Sequence, residues 1–128
     1  MIYLTRDSIN EVAINITTNL INLDVNNLPF YIFEVIEGND GETIFYFTTD
    51  NISLSLRRYD LFSIELVDEI NENLSEGKLY FKEGKNSFEY RVYETTVEKS
   101  IDPLNITGGV LNRGKFILES VSTESIYD

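Results

Sequence analysis

Residues Ser87–Glu94 read SFEYRVYE. Phe88, Tyr90 and Val92 fall in one phase of a period of two, and Glu89, Arg91 and Tyr93 fall in the other. A strand turns successive side chains to opposite faces, so this stretch predicts a strand with one buried and one wet face. The alternation recurs along most of the chain, and it decides the fold class: the protein is expected to be nearly all β.

Upstream of that strand, Lys78–Lys82 (KLYFK) is a second alternating run. Glu83-Gly84-Lys85-Asn86 between the two is a hairpin signal. Glu11–Thr17 (EVAINIT) directs Val12, Ile14 and Ile16 inward. Phe30–Glu37 (FYIFEVIE) is more continuously apolar, as expected of a central strand covered on both faces. Gly38-Asn39-Asp40-Gly41 follows as a turn, because Asn, Asp and Gly tolerate positive φ, and Glu42–Thr48 returns antiparallel. Ile52–Leu56 is a weaker alternating segment. Asp60–Val67 (DLFSIELV) is a further strand, and Asp68–Gly77 is polar and reads as a loop. Asp102-Pro103 breaks the chain, Gly108-Gly109 marks a tight turn, and Lys115–Val121 closes the sheet.

About seven to nine short strands at this spacing predict a single antiparallel β-sandwich, Ig-like or jelly-roll-like. Its domain spans residues 1–121, followed by a flexible or partner-ordered tail at 122–128. The expected core is Val12, Ile14, Phe33, Phe45, Phe47, Phe62, Ile64, Tyr80, Phe88, Tyr90, Val92, Phe116 and Leu118.

Composition bounds the function. A chain of 128 residues is enough for one domain with a real core. It has no Cys and no His, which removes disulfides, thiolate metal sites and the commonest general base. No cofactor and no metal are expected. The net charge of −12 argues against nucleic-acid phosphates and for a basic protein surface as partner. The opening MIYLTRDSIN has no apolar h-region, and no apolar run approaches the roughly 20 residues of a membrane span. The expectation is a protein made in a cytoplasm, with no membrane partner.

Each candidate site competes with a plain structural role. Asn39-Asp40-Gly41-Glu42 resembles the start of a calcium loop, but Thr43, Ile44 and Phe45 then continue as a strand, so a turn accounts for it. Asp68, Glu69 and Glu72 lack the glycine of an EF-hand loop. Glu34, Glu65 and Glu89 each fit the polar phase of a strand, and no nucleophile-and-base constellation accompanies them, so no enzyme activity is expected. The sequons at Asn15, Asn51, Asn73 and Asn105 carry little weight without a secretory context. Tyr31, Tyr46 and Tyr93 are candidates for an exposed, glycan-stacking or protein-contact surface, with Tyr59, Tyr80 and Tyr90 as weaker ones. Arg57 and Arg58 are adjacent cations in an acidic chain and are candidates for gripping a partner's carboxylates.

Several short patterns, taken in order, resemble small virion proteins of podovirus-like tailed phages, the crAss-like phages included. They are the opening strand Glu11–Thr17, and the hairpin pairing Tyr31-Ile32-Phe33-Glu34 with Ile44-Phe45-Tyr46-Phe47. Arg58-Tyr59-Asp60-Leu61-Phe62 and Tyr90-Arg91-Val92-Tyr93-Glu94 follow. Asp102-Pro103, Gly109-Val110 and Gly114-Lys115 complete the series, with Asn112-Arg113 departing from the pattern before the last glycine. The resemblance implies a structural virion protein, either an auxiliary protein on the capsid or a ring subunit at the head–tail junction. Its partners would be other virion proteins in a symmetric assembly. A glycan-binding module for host attachment is the competing reading. Contacts are expected at Met1–Asn10, Thr18–Pro29, Arg57-Arg58 and Ser122–Asp128.

Overall fold

The computed structural model describes residues 1–14, 30–37, 42–50, 60–82 and 86–119. It is all-β, with two packed sheets. The strands are β1 (Ile2–Thr5), β2 (Ile9–Ile14), β3 (Phe30–Glu37), β4 (Glu42–Phe47), β5 (Asp60–Leu66), β6 (Lys78–Leu79), β7 (Ser87–Thr95) and β8 (Ile106–Glu119). A five-stranded sheet has the order β1-β8-β7-β3-β4, and a three-stranded sheet the order β2-β5-β6. Short 3-10 turns at Glu69–Asn71, Leu74–Glu76 and Pro103–Asn105 join strands.

Of the two hairpins the sequence predicts, β3/β4 forms, but Lys78–Lys82 and β7 do not pair, because β6 joins β5 in the other sheet. The neighbours β2/β5, β3/β7 and β7/β8 are also antiparallel. Two edge pairs, β1/β8 and β5/β6, are parallel. Parallel partners need long connections, which adjacent runs of sequence do not advertise. Met1–Asn10, expected as a free contact segment, therefore holds β1 and the start of β2.

The strand faces follow the alternation. On β7, Phe88, Tyr90 and Val92 are buried, and on β5, Phe62, Ile64 and Leu66 are. The aromatic side chains bridge the sheets. Phe62 of β5 meets Tyr31 edge-on at 5.6 Å and Phe33 at 5.1 Å between ring centroids, and Phe33 stacks on Phe47 at 4.7 Å. Such pairs add to the area they remove from water. Leu79 and Phe81 are buried whereas Tyr80 is half-buried, so the expected phase of KLYFK is reversed. β6 spans only two residues, too few to establish a period. Phe45 is only partly buried, packed against the core.

The chain passes from one sheet to the other at Arg6–Ser8. Asn10 stitches this corner: its Oδ1 accepts from Thr5 N at 2.8 Å, and its Nδ2 donates to the carbonyls of Thr5, Ser8 and Ile64. At the β6 edge, the loop from Asp68 to Gly77 folds back. Asn73 and Lys78 exchange backbone bonds, and Tyr80 N donates to Glu72 Oε2 at 3.2 Å. Covering an edge strand in this way blunts its tendency to pair with other chains.

Gly108-Gly109 does not make a tight turn. It lies inside the 14-residue β8, where the register against β7 slips between Val92 and Tyr93 and again between Tyr93 and Glu94. Gly108 adopts φ 87° there, a left-handed conformation that glycine reaches without steric cost. The strand thus begins at Ile106, well before Lys115. The expectations for Thr18–Pro29, Gly38–Gly41, Ile52–Leu56, Glu83–Lys85 and the tail at 122–128 lie outside the described residues.

Candidate functional site

β3 is the strand on which polar chemistry gathers. Residues 31–36 are all buried. Tyr31, Phe33 and Val35 belong to the core between the sheets, and Ile32, Glu34 and Ile36 occupy the other face of the five-stranded sheet. A carboxylate at 6% exposure is costly unless it is hydrogen-bonded or paired.

Glu34 has those partners. Register places Tyr46 of β4 and Arg91 of β7 on either side of it. Tyr93 Oη donates to Oε1 at 2.7 Å, and Tyr46 Oη donates to Oε2 at 3.3 Å. Thr43 Oγ1 donates to Oε2 at 2.5 Å. The Arg91 guanidinium lies 3.7 Å from Oε1. Thr43 and Tyr46 are three positions apart and would face opposite ways on a regular strand. The register shift opposite Val35/Ile36 leaves Ile44 unmatched and brings Thr43 onto the same face as Tyr46. A β-bulge re-aims side chains in this way.

The electrostatics follow from that geometry. Burial works to raise the Glu34 carboxyl, but the hydroxyls of Thr43, Tyr93 and Tyr46 and the charge of Arg91 outweigh it and hold the carboxyl below its ordinary 4.5. Tyr46 and Tyr93 are pushed above 10.0, by burial first and then by the Glu34 carboxylate. Each shift moves its group away from neutral pH. General acid–base chemistry asks for the opposite, a group poised near the working pH. The arrangement suits a static polar tie that joins β3, β4 and β7.

The candidate residues fare differently. Tyr46 and Tyr93 are half-buried and meet at Glu34. Tyr31 is not exposed: at 3% exposure it is a core residue, because odd positions of β3 face the other sheet. Tyr90 is likewise core, stacked on Phe116 at 4.5 Å, with its hydroxyl donating to Asn112 Oδ1 at 3.2 Å. Arg57, Arg58 and Tyr59 lie outside the described residues. Glu34, which fits the polar phase of a strand in the sequence, is the buried centre of the cluster. The signal for it was a lone carboxylate inside FYIFEVI, an apolar run whose double covering the sequence already implied. Glu65 lies on the other sheet opposite Lys78, and Glu89 lies opposite Lys115. Among the described residues, no group of three or more acidic side chains is placed to hold a metal ion, and no helix is long and apolar enough to cross a membrane.

No family model, no curated protein and no solved structure matches this chain.

Proposed function

We propose that this protein is a structural, non-enzymatic component of a tailed-phage particle, an auxiliary protein that docks on the capsid lattice. A ring position at the head–tail junction is the alternative within the same class. The observation that carries the non-catalytic half of this reading is the Glu34 cluster. Its carboxylate and both tyrosines are tied to one another and displaced from neutral pH, which favours rigidity over proton transfer. The docking half rests on charge. The acidic surplus is displayed outward, with Asp7, Glu11, Glu42, Asp68, Glu69 and Glu72 all exposed, so a basic partner surface is favoured and packaged DNA is repelled. The ordered resemblance to phage virion proteins supplies the assembly. Many copies on a repeating lattice need only ordinary contacts, roughly 800 Å² per partner.

The test is quantitative mass spectrometry of purified particles. Copy numbers of the order of the capsid subunit support the auxiliary role. A few copies per particle move the assignment to a ring, and absence from particles ends both. One observation favours a second reading: Tyr46 and Tyr93 share the Glu34 face and are half-exposed, as a glycan platform requires. A glycan array on the protein tests it. Hits abolished by Tyr93→Ala support a binding module, and a blank array removes it.

A further inference from the structure

The parallel pair β5/β6 ends at Leu66↔Leu79, with a last ladder bond from Val67 N to Leu79 O at 2.8 Å. Beyond that bond the two segments separate, and an open groove of about 710 Å³ lies between them. That size falls within the range of about 300–1,000 Å³ typical of ligand sites. Leu66 and Phe81, both buried, and Val67 form its apolar base. Ile70 stands on the lip at 95% exposure, with Tyr80 opposite. Its carboxylates are Asp7, Asp68 and Glu69, all exposed. Lys82 also borders the groove, as does Arg6, but the Arg6 guanidinium donates to Phe81 O at 3.2 Å and Asn86 Oδ1 at 3.4 Å. Both acceptors are neutral, so these bonds tie the wall to Asn86, just before β7, and leave three carboxylates against two cations around the groove. Asp68 precedes its 3-10 turn, and its side chain makes no capping bond to it.

We propose that this groove docks a short extended segment of a partner protein in which apolar side chains alternate with Lys or Arg. The apolar base takes the apolar side chains, Ile70 folds over them, and Asp7, Asp68 and Glu69 receive the cations. The apolar base gives alternate side chains of such a segment a place out of water, and the carboxylate surplus around it complements the cations between them. The inference rests on the docking reading above and assigns it a place on the molecule.

The experiment uses the full chain and the peptide acetyl-Lys-Leu-Arg-Val-Lys-amide, with amide chemical shifts and fluorescence anisotropy as readouts. Shifts should concentrate at Leu66–Ile70 and Tyr80–Lys82. Asp68→Lys with Glu69→Lys should weaken binding about tenfold or more, since rim charges of the right sign set the encounter and its specificity. Glu11→Lys with Glu98→Lys, the same charge change elsewhere on the surface, should leave binding nearly unchanged, and Ile70→Ser should weaken it. Equal weakening by both charge pairs, shifts mapping outside the groove, or no binding overturns the proposal. So does a dimer in sedimentation that Ile70→Ser dissolves, which would place a second copy there. The two readings fail separately: peptide binding by a protein absent from particles sinks the virion role alone, and a particle protein with a silent groove sinks this inference alone.

Discussion

Tyr93 Oη and Glu34 Oε1 are 59 positions apart in the chain and 2.7 Å apart in space. That bond joins β7 to β3 on the face away from the core. Together with Tyr46 and Thr43 from β4, it makes one polar knot across three neighbouring strands.

Removing the charge at the knot should cost stability. Glu34→Gln keeps the shape but loses the carboxylate that three hydroxyls and Arg91 address. The expected loss is about 1–3 kcal/mol in urea unfolding at pH 7. An unchanged midpoint contradicts the structural role.

The same group sets an acid limit. The folded carboxyl titrates below its ordinary 4.5, so the unfolded chain takes up its proton first as pH falls. The contribution of Glu34 is present above that ordinary value and is lost as pH drops through the folded one. Stability of Glu34→Gln should therefore fall less steeply below about pH 4.5 than that of the native protein. Parallel curves contradict the assignment.

At the alkaline end the tyrosines take over. Tyr46, Tyr90 and Tyr93 are raised above 10.0, with burial the first cause in each. Their contribution is present below 10 and is lost as pH rises through the folded values. Ultraviolet titration should show a class of phenols ionising above the ordinary value, and Tyr93→Phe should remove one member. If every tyrosine titrates together near 10, the buried network is not as described.

Phe62 is a central contact between the sheets. Its ring meets Tyr31 and Phe33, and it is fully buried. Phe62→Ala should cost about 3–5 kcal/mol, the usual result of emptying an aromatic core site. Thermal and urea unfolding check it, and a loss typical of a surface site contradicts the two-sheet packing.

Gly114 is required by proximity. A Cβ placed there meets the Tyr90 ring at 2.8 Å, where the ring lies between Phe116 and Asn112. Gly114→Ala should cost about 1–3 kcal/mol, and Tyr90→Leu in the same chain should recover part of it. Without recovery, the clash is not the cause.

Period-two alternation is enough to identify most strands, the buried phase of the longer ones and the β3/β4 hairpin, because a strand's inward residues are set by the pleat and need no knowledge of the partner. Phe88, Tyr90, Val92, Phe62 and Ile64 are buried as that alternation predicts. Three features were beyond its reach. β1 and β6 are short edge strands paired in parallel, β1 with the last strand of the described chain and β6 with β5 across a folded-back loop. The bulges opposite Val35/Ile36 and Val92/Tyr93 shift phase within strands, which moves Thr43 to the Glu34 face and hides the Gly108-Gly109 pair inside β8. Glu34 itself is buried because β3 is covered on both sides, and a residue's local pattern does not say what covers it. Strand content and the inward face of the longer strands are local properties, legible from residues two positions apart. The meeting of the carboxylate, hydroxyls and guanidinium is a property of the register between strands, which exists only once the sheet has formed.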